Sequence, residues 1–523
     1  MTVPFRRITL FLLLLGCLSL VGCRSGPQML DVTVLADGKE IALSTSVLTV
    51  REALAEAEVQ IDTDDRVDPD LWVELEDEMV VRVIRVQEEI IVEREVMPYT
   101  QQTLRSESIP AGKQQLLQAG QNGQVEITYR LQFEDGVEVS RSVLRQVVVV
   151  EPVTQITAVG VEGLVDSVPF EGTIAYVNDG NAWLMRGTSG GREPVTRDGD
   201  LDERVFALSP DGAYLLYSVI SDTVEFDGAF NQLYVLDVGL IDQEPVLLPV
   251  EDVLWAAWSP DGTRLAYSTG AKSGPPGWRA KNDLWVITLF DADGALEPGE
   301  PKRILGEQSA SPYSWWGTNY AWSPDGQKIA YARSDQLGWV DITSRRGFPL
   351  AAFAPYSAAD DHVWVPMPTW SPDSWFVACT IHVDEPGRDP EESLRFEIWA
   401  FDISRQIRAR LSSSLAGMWS TPRWSPKVDK GSMIAFAEAD ASSDSYDSRY
   451  TLKVMDRDGS NERRLFPAEG ESGITHPIEH RWSPDGRQIV TLYRGDLYLV
   501  DLLSGRQQRL TGDGQCSRLD WAE

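Results

Sequence analysis

From about residue 171 onward, short apolar runs alternate with polar turns in a pattern that repeats. Residues 264–268, 328–332 and 488–493 each read as an apolar strand. Each follows a tight polar turn and precedes a loop of variable length, and then a strand with an aromatic at its centre. Those aromatics are Trp183, Tyr234, Trp285, Trp339, Trp399 and Tyr498; Lys453 breaks the series. A last edge strand closes each unit. Four antiparallel strands, apolar on both faces, predict the blade of a β-propeller, because one such sheet can bury both faces only by stacking on neighbours.

The turns carry a repeated pentapeptide, Trp-Ser-Pro-Asp-Gly. It is intact at 258–262, 322–326 and 482–486, and altered copies begin at Leu208, Trp370 and Trp424. Self-similarity at this spacing marks a repeat architecture. Pro presets φ for the second turn position, Asp tolerates the third, and Gly takes the left-handed position that closes the hairpin. Residues 172–200 supply a second, third and fourth strand without a first, and residues 517–521 supply a first strand with nothing after it. Joined, they give seven blades and remove two open edges; the alternative is six blades and a stray tail. The fold class is therefore mainly β, over a propeller spanning 171–523. The motif resembles the TolB-type propeller repeat of bacterial envelope proteins, which specifies fold and leaves function open.

Two smaller modules precede it. Residues 31–44 alternate around Asp37-Gly38, a hairpin signal. A helix capped by Thr49 with Glu52 in a capping box follows, its inner face Val50, Leu54 and Ala57. Strands are expected at 71–75 and 79–86. The ββαββ unit, 30–83, resembles the small ubiquitin-like domain of unknown function in resuscitation-promoting factors. Its acidic stretch, Asp62, Asp64, Asp65, Asp68 and Asp70, has Val67 where a calcium loop needs Gly, and reads as a solvated loop. Residues 84–161 contain little helix. Val125, Ile127, Tyr129, Leu131 and Phe133 alternate with polar positions as a half-buried strand does. Glu95 to Thr100, Gly112, Gly120, Gln121-Asn122-Gly123, Tyr129, Asp135-Gly136 and Glu151-Pro152 are similar to the G-five domain. That resemblance implies a surface protein binding N-acetylglucosamine-containing polymers; the other reading is a rigid spacer. Residues 162–170 read as a linker.

Charge and the N-terminus narrow the class. Eighty acidic against 47 basic residues give a net charge of −33, which argues against nucleic acid as a partner. Residues 1–22 read as an export signal, with Arg6 and Arg7 before an apolar run. Leu20-Val21-Gly22-Cys23 looks like a lipoprotein signal, which implies lipidation of Cys23 and membrane attachment; residues 23–29 then form a short linker. Cys379 and Cys516 are expected to be reduced and buried.

Catalytic motifs are sparse. Gly187-Thr188-Ser189-Gly190-Gly191 fits a serine-hydrolase pattern but falls between blade strands, where a nucleophile elbow cannot form. The four His residues are His362, His382, His476 and His480. The spacing of the last two loses its helical meaning in a loop, and no metal or cofactor is expected. The reading is a non-enzymatic, lipid-anchored envelope protein that binds cell-wall glycan or an envelope protein; the alternative is an enzyme acting in the propeller's central pocket. Strand parity puts all tight turns on one rim and the long insertions on the other. Trp255, Trp278, Trp315, Trp316, Trp364 and Trp419 lie in connectors on the insertion rim, as do Asn319, Arg423, His476, Glu479 and His480. These are the candidate ligand-binding residues.

Overall fold

The computed structural model describes residues 29–523 apart from 107–108, 110–111, 161–164, 221–228, 240–242, 274–277, 310–313, 357–362, 406, 413 and 427–430. The export signal, Cys17, Cys23, His362 and most of the 221–229 insertion lie outside the described residues. The chain falls into two compact units: residues 1–102 with 118–155, and residues 103–117 with 156–523.

In the first unit, Leu30–Ala36 and Lys39–Thr45 form a hairpin, and Leu30–Ala36 also pairs in parallel with Val80–Ile84. The helix Val50–Glu56 carries both halves of the capping box between Thr49 and Glu52. Its buried face is Val50, Ala53 and Leu54, packed on Val32, Val34, Val81 and Val83. The strand expected at 71–75 does not form. Arg66–Asp68 pairs with Val80–Ile84 instead, and Leu75 reaches the core from a loop beside the isolated bridge of Glu74 to Thr49. A three-stranded sheet follows, Val86–Met97, Gly123–Glu134 and Val137–Val150, with the second strand central. Arg85 ties it to the hairpin unit. Its guanidinium binds Asp37 and Asp65, at 2.7 and 2.6 Å, while its backbone N–H donates to Asp135. Gly120 is obligatory for space: a Cβ there would stand 2.3 Å from the Tyr99 ring.

In the second unit, a three-stranded sheet of Gln101–Ser106, Gln114–Gln118 and Gln155–Gly160 places Leu104 and Ile156 in one core with Phe170, Trp183 and Trp521. Among the described residues, seven successive sheets of the propeller follow, each with four strands in meander order; one carries an extra strand, Trp278–Ala280. The first of them is built from Pro169–Asn178, Asn181–Thr188, Arg192–Pro194 and the C-terminal strand Cys516–Ala522, which pairs antiparallel with Pro169–Asn178. We number this sheet blade 1 and the rest in chain order. The first strands of blades 1 to 6 touch in succession, and those of blades 7 and 2 flank that of blade 1, so first strands surround the centre.

The pentapeptide works as the turn chemistry requires. The Ser259, Ser323 and Ser371 hydroxyls each donate to the turn Asp at 2.5 Å. Each also accepts a backbone N–H five residues on, from Arg264, Lys328 and Phe376. Gly262, Gly326 and Gly486 have φ of 70, 67 and 69°, left-handed values that cost glycine nothing. The tryptophan does something the sequence does not show. Trp258, Trp322, Trp370 and Trp482 each donate an indole N–H to a carbonyl in a preceding blade: Ala207, Ala257, Ala321 and Arg423, at 2.9 to 3.2 Å. In every case the acceptor is the residue just before that blade's own repeat position. The motif therefore closes its own turn and also fastens one blade to another.

Candidate functional site

The residue before the repeat position is half-buried in every blade. In blades 2 to 5 it is Ala207, Ala257, Ala321 and Thr369. In blades 6, 7 and 1 it is Arg423, Arg481 and Asp520. One side of the ring of first strands is small and neutral, and the other is charged.

The charged side is a connected cluster. Arg481 binds Asp520 at 2.9 Å and Glu479 at 3.0 Å. Glu479 also receives Arg518 at 2.8 Å, and Asp520 accepts the Leu208 backbone N–H. Burial works against the Glu479 carboxylate, but Arg481, Arg518 and Arg423 outweigh it and hold its pKa below the usual glutamate value. Arg423 differs from its neighbours. Among the described residues it makes no ion pair, and its Nε is buried without a partner. Burial, and then the repulsion of Arg481, push its pKa down to about 9, so it remains a cation at neutral pH. Two residues earlier, the buried Thr421 hydroxyl is also unpartnered.

The sequence-predicted residues scatter around this cluster. Glu479 and Arg423 belong to it. His480 is fully buried, one position along the chain from Glu479 and from Arg481. Neither ring nitrogen makes a hydrogen bond of ordinary geometry, although the ring lies beside the Ala435 backbone. Burial, then Arg423 and Arg481, hold it neutral, well below the ordinary histidine value. Trp364 is likewise corrected. It is 7% exposed and packs edge-on against Phe396 over Met418, because a large ring gains more from burial against apolar side chains than from water. Trp255 is half-buried against Tyr320, and Asn319 is committed to the carbonyls of Val365 and Pro366. Trp419 and His476 stack at 4.0 Å, and desolvation of the imidazole lowers the His476 pKa. Trp278 lies over the Arg204 guanidinium, which Phe230 also faces. Trp315 and Trp316 form a short 3-10 turn, with Trp315 36% exposed. The structure brings together the charges and leaves the aromatics in separate pairs.

Sequence reading missed Arg481, Arg518, Asp520 and Thr421. The signal was present: aligning blades on the pentapeptide puts Arg423 and Arg481 in a column that is Ala or Thr in blades 2 to 5. Other polar features are committed within the fold. Ser189 is buried and accepts the Val168 N–H, which is a turn role. A groove of about 350 Å³ includes Val250, Tyr267, Lys281, Asp283, Trp285 and Arg303. Its central carboxylate, Asp283, is already committed to Thr269 and the Trp285 N–H. Cys379 and Cys516 are free and buried, and burial pushes both thiols up. Among the described residues no helix is long and apolar enough to cross a membrane.

Comparison with known proteins agrees with this composition. Residues 88–162 match the G5 domain, and residues 32–71 match the G5-linked ubiquitin-like domain. The chain is 39% identical over 82 residues to the Tol-Pal system protein TolB of Coxiella burnetii, covering 15% of this chain and 18% of that protein. It is 27% identical over 178 residues to dipeptidyl peptidase 4 of Felis catus, covering 30% of this chain and 21% of that one. The chain thus spans about a fifth of the curated relatives it matches. Among solved structures it is similar to a TolB from Agrobacterium tumefaciens, at 20% identity and TM-score 0.35, covering 60% of this chain and 95% of that one.

One expectation is corrected by the same comparisons. The sequence reading expected no enzyme, yet similar propellers include enzymes. One is a periplasmic gluconolactonase from Pseudomonas aeruginosa, 15% identical with TM-score 0.42, covering 67% of this chain and 99% of that one. Another is an oligogalacturonate lyase from Vibrio parahaemolyticus, 14% identical with TM-score 0.33, covering 50% and 65%. At these identities the likeness concerns the fold, and this fold hosts catalysts as well as binders.

Proposed function

We propose that this chain is an envelope-associated binding protein. Its glycine-rich module binds cell-wall glycan of the N-acetylglucosamine type, and its propeller receives a protein or glycan partner where the first strands surround the centre. The observation that carries the reading is the G5 match over residues 88–162, joined in one chain to a TolB-like propeller. The strongly acidic balance, −33, supports it by keeping an exported protein soluble and away from nucleic acid. The lipoprotein-like stretch ending at Cys23 supports attachment through a lipid on that residue. Cys23→Ser is then expected to abolish lipid labelling and release the protein from membranes; unchanged retention overturns the anchor.

The glycine-rich module is best tested in the full chain, because Leu104 and Ile156 complete a core with propeller residues. The experiment is co-sedimentation of the whole protein with purified peptidoglycan, with and without soluble N-acetylglucosamine oligomers. Saturable sedimentation relieved by the oligomers is expected. Sediment no greater than that of an unrelated protein of equal net charge overturns the glycan assignment.

A further inference from the structure

We infer that the charged side of the propeller centre is a receptor for a carboxylate group, with the Arg423 guanidinium as its unfilled half. The inference deepens the reading that the propeller takes its ligand at this centre.

Three guanidiniums, Arg423, Arg481 and Arg518, meet there. Two carboxylates, Glu479 and Asp520, face them, and both are used. Glu479 bridges Arg481 and Arg518, at 3.0 and 2.8 Å. Asp520 holds Arg481 at 2.9 Å and a backbone N–H. One positive charge is left over, and it is Arg423, which no described side chain pairs. A buried donor with no partner carries its full desolvation penalty. Arg423 Nε is one such donor, and the Thr421 hydroxyl two residues earlier is another. A planar guanidinium fork matches a carboxylate with two parallel hydrogen bonds, and a neighbouring hydroxyl can donate a third. Water cannot neutralise the leftover charge, whereas one ligand carboxylate makes the count three to three.

The fixed ion pairs preorganise the site. Arg481 is held from two sides, so it presents a stationary positive wall behind Arg423. The corresponding positions of blades 3 and 4, across the ring, are the small, neutral Ala257 and Ala321, which add no competing charge. The ligand is therefore a molecule that ends in or displays a carboxylate and is otherwise neutral. Its source is either an acidic sugar or the C-terminus of a peptide.

The test uses the full chain labelled with 15N-arginine, the Arg423 Nε–H signal being identified by its loss in Arg423→Gln. Four probes are titrated: N-acetylmuramic acid, its neutral relative N-acetylglucosamine, acetyl-dialanine, and acetyl-dialanine amide. The two acids are expected to shift the Arg423 signal saturably and the two neutral probes to leave it in place. A response to the sugar acid alone assigns an acidic glycan, and a response to the peptide acid alone assigns a peptide terminus. Arg423→Gln is expected to weaken acid binding about tenfold or more, the loss of one charge-assisted fork. Arg423→Lys keeps the charge without the fork and is expected to fall between; it also stands in if the Gln variant does not fold. Equal shifts with the neutral probes, no shift with either acid, or unchanged affinity in both variants each overturn the inference. Relief of sedimentation by N-acetylglucosamine oligomers reports the glycine-rich module, whereas the acid-induced shift of the Arg423 signal reports this site, so the two readings fail or hold independently.

Discussion

At the scale of single residues, the repeat tryptophan and the residue before it divide the work. Trp482 donates to the Arg423 carbonyl at 2.9 Å, while the Trp424 N–H is buried without a partner. Both rings are nearly fully buried, 7 and 8% exposed, so the comparison isolates one hydrogen bond. Trp482→Phe is expected to cost more stability than Trp424→Phe, by about 1–3 kcal/mol, because it strands a buried carbonyl. Urea denaturation of the two variants measures the difference; equal losses contradict the role assigned to the indole N–H. Lys453 shows the other kind of departure from the repeat. It occupies the central aromatic position of blade 6 and is held by Glu438 and Glu462. Burial opposes its charge, but the two glutamates outweigh that and raise its pKa above the ordinary lysine value. A column of aromatics can thus accept a cation where two carboxylates flank it.

At the scale of elements, the tight turns act as acid-sensitive fasteners. Partial burial opposes the charge of Asp261, Asp325 and Asp373. The turn serine and the backbone N–H two residues on, joined at Asp325 by Lys328, more than offset it and hold these carboxyls below the ordinary aspartate value. A carboxyl whose folded pKa is depressed stabilises above its unfolded pKa, and that contribution is lost as pH falls through the folded value. The propeller is therefore expected to lose stability below about pH 4, and Asp325→Asn to unfold with a shallower acid dependence than the parent. An unchanged acid profile in that variant shows that the turn carboxylates are not the groups responsible. These turns were fully legible in the sequence, since Ser, Pro, Asp and Gly each have one local job. The small N-terminal sheet was less so. Leu71, Val73 and Leu75 alternate like a strand, but only Leu75 is buried, and Trp72 lies exposed over Arg51. Alternation reports which residues want burial, and cannot say which segment wins the edge beside Val80–Ile84.

At the scale of the whole molecule, the charged cluster was illegible for a related reason. It joins first strands that enter the ring from blade 6, blade 7 and the chain's last residues, and no single window of sequence contains it. The rim tryptophans were legible as leftovers of the repeat, but leftovers can turn inward, as Trp364 does. The C-terminal strand unites both themes. It supplies Arg518 and Asp520 to the cluster, and it is also the first strand of blade 1. Its backbone pairs with Pro169–Asn178, its Trp521 N–H donates to the Glu171 carbonyl at 2.8 Å, and the Trp521 ring meets Phe170 edge-on at 5.9 Å. Removing residues 515–523 leaves a blade of three strands and strips the neighbouring first strands of their partner. The edge of Pro169–Asn178 is left unpaired, and the core around Ile174 and Tyr176 opens to water. Thermal unfolding of that deletion is expected to lose cooperativity, with a lowered midpoint. Trp521→Ala, which keeps the strand and deletes only its anchor, is expected to cost about 3–5 kcal/mol while preserving a single transition. A deletion that melts like the parent would mean the ring does not depend on this strand for closure. In that case Arg518 and Asp520 would have no fixed place from which to balance Arg481, and the charge left on Arg423 would lose its meaning as well.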